Sequence, residues 1–141
     1  MSRVQEAMQA LATIELFQGL DDVQLARIAT MSQWHDFAEG DTIVKEGDTD
    51  GQMYVVVRGS ARIWMNGQPV RTVGPGEYFG EMSLLDGQPR AASVVATEPV
   101  QAISIARFNF LPLVTEHPDI AEELLIEMSR RLRLVGDDRI D

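Results

Sequence analysis

The sequence predicts a mainly β fold with flanking α-helices: an antiparallel β-roll between N-terminal helices and two C-terminal helices. Three observations carry this. Between about Trp34 and Ile105, glycine or proline recurs at short intervals and β-branched residues fill the gaps. On either side of that region apolar residues return at helical steps. A chain of 141 residues with 45% apolar side chains suits one core, since roughly 70% of the unfolded surface is buried at this length. Residues 1–141 therefore read as a single domain, with 1–33 helical, 34–106 the roll and 107–136 helical again.

Taken in order, Val4, Met8, Leu11 and Ala12 form an amphipathic stripe that predicts a first helix, interrupted at Gln18 and Gly19. Asp21 stands three residues before Gln24, the spacing of a capping box, so a second short helix starts there with Leu25, Ile28 and Ala29 on its apolar face. Strands are expected at 42–44, 53–57, 61–65, 70–73, 92–96 and 100–105. Asn66-Gly67 predicts a tight hairpin between two of them, because both central residues of a type I′ turn need positive φ. The run Met53-Tyr54-Val55-Val56-Val57 lacks polar alternation and reads as a strand covered on both faces. Helical periodicity resumes at 108–114. It returns again from Asp119, with Ile120, Leu124, Met128 and Leu132 on one face, Pro118 at the first turn and Gly136 as the expected end.

Composition excludes several classes of function. The absence of cysteine removes disulfide scaffolds, zinc ribbons, thiol nucleophiles and iron–sulfur clusters, and suits a reducing cytosol. A formal charge of −10 opposes general binding to nucleic acid or anionic lipid. No apolar run approaches the ~20 residues a bilayer requires, and residues 1–12 lack the apolar stretch of a signal peptide. The expected setting is cytoplasmic, with no membrane partner. His35 and His117 are too few and too far apart for a metal site, and no nucleophile motif is present, so neither a metal nor catalysis is expected.

The densest chemical signal lies between Gly74 and Val94. Gly80 lets the backbone approach something closely, and Glu81 to Leu85 has length for about one helical turn, whose outward N–H groups suit an anion. Gly87-Gln88-Pro89 then turns the chain into Arg90, a forked donor for a singly charged phosphate. A carboxylate at 81 accepts hydrogen bonds from a sugar hydroxyl while the phosphate faces elsewhere. The bland alternatives are a solvated Arg90 paired with Asp86 or Glu81, and a Glu81 that merely braces the roll.

Gly80-Glu81-Met82-Ser83-Leu84-Leu85, four intervening residues, then Arg90-Ala91-Ala92-Ser93-Val94, resembles the phosphate-binding cassette of the cyclic-nucleotide-binding domain family. That family includes the catabolite activator protein, regulatory subunits of cAMP-dependent protein kinase and cyclic-nucleotide-gated channels. Leu16-Phe17-Gln18-Gly19-Leu20, Glu46-Gly47-Asp48, Val56-Val57-Arg58-Gly59 and Gly74-Pro75-Gly76 extend the similarity over nearly the whole chain.

The resemblance implies a jelly-roll (double-stranded β-helix) fold with its cassette at 80–93. It gives Arg90 the cyclic phosphate and Glu81 the ribose 2′-hydroxyl. It sets Gly80, Met82, Ser83, Ala91 and Ala92 around ribose and phosphate, with a hydroxyl contact from Ser93. Alanine at 91, where cGMP-preferring relatives often carry threonine, points to cAMP over cGMP. The base is covered in the family by a side chain of the last helix, a place that falls near Arg131, with Val135 one turn on. No other cofactor is implied. The expected function is a cAMP-binding sensor domain that reports occupancy through its C-terminal helices to a protein effector or an effector domain of a parent protein. Too few residues follow Gly136 for the DNA-reading domain of the transcription factors, so no DNA contact by this chain is expected. The rival readings are a nucleotide-independent interaction domain and a small jelly-roll enzyme.

Overall fold

The computed structural model describes the backbone of residues 2–140; the side chains of 127, 131 and 134–140 lie outside the described residues. Helix α1 (Arg3–Thr13), a 3-10 turn at Glu15–Phe17 and α2 (Asp22–Met31) precede eight strands. Both early helices open with capping boxes, Ser2 with Gln5 and Asp21 with Gln24, as the second spacing predicts.

The strands are β1 (Gln33–Phe37), β2 (Thr42–Val44), β3 (Gln52–Arg58), β4 (Ala61–Met65), β5 (Gln68–Val73), β6 (Tyr78–Phe79), β7 (Ser93–Ala96) and β8 (Val100–Ala106). They form two four-stranded antiparallel sheets ordered β1-β8-β3-β6 and β2-β7-β4-β5. A short helix, α3 (Glu81–Asp86), interrupts the roll between β6 and β7, and α4 (Arg107–Glu116) and α5 (Pro118–Ile140) follow it.

The apolar residues divide into two bodies. Side chains on a strand alternate between faces, and β3 uses both: Met53 and Val55 join the helical body, Tyr54 and Val56 the body between the sheets. β8 does the same with Ile103 and Ile105 against Val100 and Ala102. The unalternating apolar run at 53–57 thus marks the sheet on which helices and roll are both built. Each fully buried leucine or isoleucine contributes roughly 1.5–3 kcal/mol, so these two strands hold the halves together. At the predicted hairpin, Asn66 has φ 52° and Gly67 φ 76°, and Met65 pairs with Gln68.

Three expectations require correction. The stripe on α1 is Ala7 and Leu11, continued by buried Ile14, whereas Val4 is 41% exposed and Ala12 is also exposed; a small residue at 7 lets α2 pack closely. Strands β1 and β6 were absent from the expected set, because Gln-Trp-His-Asp-Phe carries no β-branched residue and β6 is only two residues long. Their partners β8 and β3 dictate them. Finally, α5 runs through Gly136 to Ile140. An internal glycine costs about 1 kcal/mol relative to alanine, and no proline follows to stop the helix. Of the predicted α5 face, Ile120 and Leu124 are buried, and Leu132 is 61% exposed. No helix among the described residues is long and apolar enough to cross a membrane.

His35 on β1 supplies a pH-dependent contact. Its Nε2 lies 2.7 Å from Ser104 Oγ, and its ring stacks on Phe37 with centroids 5.9 Å apart. Burial pushes the imidazole below its ordinary value of 6.5, against the opposing charge of Asp36. A histidine with a lowered native pKa takes up protons on unfolding. Its contribution is therefore intact above the ordinary value and is lost as pH falls below it. The Tm of the wild-type chain should fall more between about pH 7.5 and 5.5 than that of His35→Gln; equal slopes in thermal unfolding would assign the effect elsewhere.

Candidate functional site

β6 delivers the chain to Gly80, whose φ of 89° is left-handed, and α3 starts at the next residue. Alanine is disfavoured here on two counts. L-residues are strained at that φ, and a Cβ would stand 2.5 Å from Arg90 Nη1 and 2.7 Å from the Gln52 carbonyl oxygen. Gly80 at the N-cap offers no side chain to cap α3, and the amides of a helix's first turn have no intrahelical carbonyl to receive them. Glu81 and Ser83 in that turn are buried, at 1% and 5% exposure, whereas Met82 is 48% exposed.

Arg90 closes the site. Its residue is only 4% exposed, so it is not a solvated turn residue, and its partner is neither Asp86 nor Glu81. Nη2 donates to Asp50 Oδ1 and to the Gln52 carbonyl, and Nη1 donates to the Gly80 carbonyl at 3.2 Å. Nε is buried and has no hydrogen-bond partner among the described residues. The main chain is pinned as well, with Arg90 N–H donating to Asp48 O at 2.7 Å and its carbonyl accepting from Gly47 N at 2.9 Å. The 45–51 loop therefore clasps the arginine from one side while Gly80 receives it from the other.

Tyr54 extends this environment into the roll. Its ring stacks on Phe79 at 5.4 Å. Burial, together with the Asp50 charge, raises its phenol pKa, and the Arg90 guanidinium pulls the other way.

The structure brings Gly80 against Arg90 and buries Glu81 and Ser83 in the turn that follows Gly80. Ala91 is exposed, Ala92 and Ser93 are half-buried, and Ala92 packs against the core between the sheets. Ser93 Oγ accepts from Glu46 N–H at 2.9 Å, holding β7 to the loop after β2. The side chains of Arg131 and Val135 lie outside the described residues. Sequence reasoning missed Asp50 and the Gln52 carbonyl. The signal was present, since a buried arginine needs a counter-charge and Asp48-Thr49-Asp50-Gly51 is the acidic loop bordering the strand that packs beside it. Among the described residues no cluster of three or more histidine, aspartate or glutamate side chains is arranged to hold a metal ion.

The family model for the cyclic nucleotide-binding domain matches residues 34–117, which include the whole cassette. The chain belongs to this family. It is similar to a CRP-like cAMP-activated global transcriptional regulator of Mycobacterium tuberculosis, 30% identical over 94% of this chain and 62% of the relative. Among solved structures it resembles the catabolite activator protein of Thermus thermophilus (TM-score 0.78, 34% identity, 87% of this chain and 60% of the other). It also resembles the regulatory domain of Toxoplasma gondii PKA crystallised with cAMP (TM-score 0.81, 25% identity, 91% and 50%). The mainly antiparallel roll with flanking helices is the fold of these proteins. The chain spans less than two thirds of the length of each.

Proposed function

We propose that the chain is a cyclic-nucleotide sensor whose ligand is cAMP, bound at the cassette and reported through the C-terminal helices. One observation carries the reading most: a guanidinium at 4% exposure, whose Nε has no hydrogen-bond partner among the described residues, beside the glycine-capped start of α3, in a chain of this family. In this reading Arg90 holds the cyclic phosphate and Glu81 the ribose 2′-hydroxyl. The main chain at Gly80, Met82, Ser83, Ala91 and Ala92 borders them, and Ser93 contributes its hydroxyl proton while its oxygen stays on Glu46. Arg131 covers the base. The chain makes and breaks no bond, needs no metal or further cofactor, and acts on a protein effector or an effector domain; its place of work is the cytoplasm.

The energetics suit this assignment. A charge-assisted hydrogen bond contributes about 1.5–3 kcal/mol and a helix N-terminus up to ~2, a large part of the roughly 8 kcal/mol of a micromolar complex. One guanidinium already paired with Asp50 matches a monoanion better than a dianion. For the report, Ile120 and Leu124 are already packed, and Leu132 at 61% exposure is the part of the α5 face left to dock when the cassette moves. Such a shift is limited by the ligand's differential affinity for the two arrangements.

A second reading, a nucleotide-independent interaction domain, is favoured by the Asp50 carboxylate that already engages Arg90. Isothermal titration of the whole chain with cAMP, cGMP and 5′-AMP separates the two. Affinity of about micromolar or tighter for cAMP, weaker for cGMP and absent for the linear nucleotide, is the expected order. No heat with any of the three would leave the second reading standing.

A further inference from the structure

Arg107 is the first residue of α4 and stands outside the cassette. Its Nε donates to the Leu84 carbonyl at 3.0 Å and its Nη2 to the Leu85 carbonyl at 3.2 Å. These are late carbonyls of α3, which have no amide one turn ahead to satisfy them and carry the negative end of the helix dipole. Gly87 ends α3 in the left-handed region, at φ 68°, and lies against the Arg107 guanidinium. The short helix thus has Gly80 and Arg90 at one end and Arg107 at the other.

We propose that Arg107 is a positioning residue that couples α3 to α4, so that displacement of the cassette on nucleotide binding reaches the C-terminal helices through this two-point fork. The inference rests on the sensor reading above. Leu84 and Phe110 also share the helical core, but apolar packing is non-directional and lets α3 slide or turn. A planar fork on two successive carbonyls fixes both distance and orientation, which a lysine ammonium cannot do. Only His117 separates α4 from Pro118, the start of α5, so a shift of α4 is passed to the turn of α5 that carries Ile120.

The test uses the whole chain as wild type, Arg107→Met and Arg107→Lys, each titrated with cAMP and followed by amide exchange with and without saturating cAMP. In Arg107→Met the Kd should stay within about fivefold of wild type, while the cAMP-induced change in exchange across 107–126 falls below about a third of the wild-type change. Arg107→Lys should show the same direction of effect. A full-sized response in either variant overturns the coupling. So does an affinity loss as large as that of Arg90→Ala, which would make Arg107 part of the binding site. Should Arg107→Met not fold, Arg107→Lys decides by the same criterion.

If the wild-type chain binds no cAMP, the sensor reading fails and the fork is judged without ligand. Faster exchange in both 84–88 and 107–111 of Arg107→Met supports it. Unchanged exchange there rejects it.

Discussion

Arg90→Ala should lose cAMP affinity by ~100-fold or more when titrated by calorimetry, because a desolvated phosphate deprived of its partner costs about 3–5 kcal/mol. The structure explains why no neighbour compensates. The groups that hold the Arg90 side chain are a carboxylate and two carbonyls: Asp50 is its ion-pair partner, and the Gly80 and Gln52 carbonyls accept from it. Without the guanidinium the Asp50 carboxylate and two carbonyl oxygens are left facing an anion. The same substitution leaves Asp50 without its ion pair, but that side chain is 34% exposed and water takes over much of its solvation, so the variant should still fold. Affinity within a few-fold of wild type would remove the cassette from the account.

Gly80→Ala is the second large effect, and it reaches the site through the backbone. The added Cβ meets Arg90 Nη1 at 2.5 Å and the Gln52 carbonyl at 2.7 Å, at a φ of +89°. The guanidinium can retreat, but Gln52 opens β3, which is paired on both sides by β6 and β8, and cannot. Either α3 moves out or the strained turn relaxes, and both displace the first-turn amides and Glu81 from Arg90. A left-handed alanine costs about 1–2 kcal/mol before the contact is counted. The expected result is a Tm lowered by roughly 5–10 °C together with at least a ~30-fold loss of cAMP affinity, the equivalent of about 2 kcal/mol. Wild-type binding in this variant would show that Gly80 serves only the turn.

Much of the fold was legible from the sequence because its signals are local. Asn66-Gly67 states its own backbone geometry, Asp21 and Gln24 cap by fixed spacing, and the 53–57 run declares burial on both faces. The unread parts depend on partners distant in the chain. β1 has no strand composition of its own and takes its register from β8, Gln33 opposite Ser104 through Phe37 opposite Val100. On α1 the expected Leu11 is buried and Met8 packs against the core, but Ala7 takes the place of the exposed Val4 and Ala12 because α2 and β3 decide which side is covered.

The candidate site divides the same way. Gly80, Glu81 and Arg90 sit within a short stretch and declare themselves by type and spacing. Asp50 is forty residues upstream of Arg90, and only the closing of the roll brings it there. Arg107 reads in sequence as an ordinary charge at a helix start, where a cation is if anything disfavoured. Its function becomes apparent only once the end of α3 is seen beside it.

The central claim is that the Arg90 guanidinium receives a cyclic phosphate. A crystal structure of the chain grown with cAMP tests it most directly. The account predicts phosphate oxygens within about 3 Å of the Arg90 guanidinium nitrogens and of the α3 first-turn amides, with the ribose 2′-hydroxyl on Glu81. A nucleotide seated elsewhere, with Arg90 still closed on Asp50 and the Gln52 carbonyl, would contradict it.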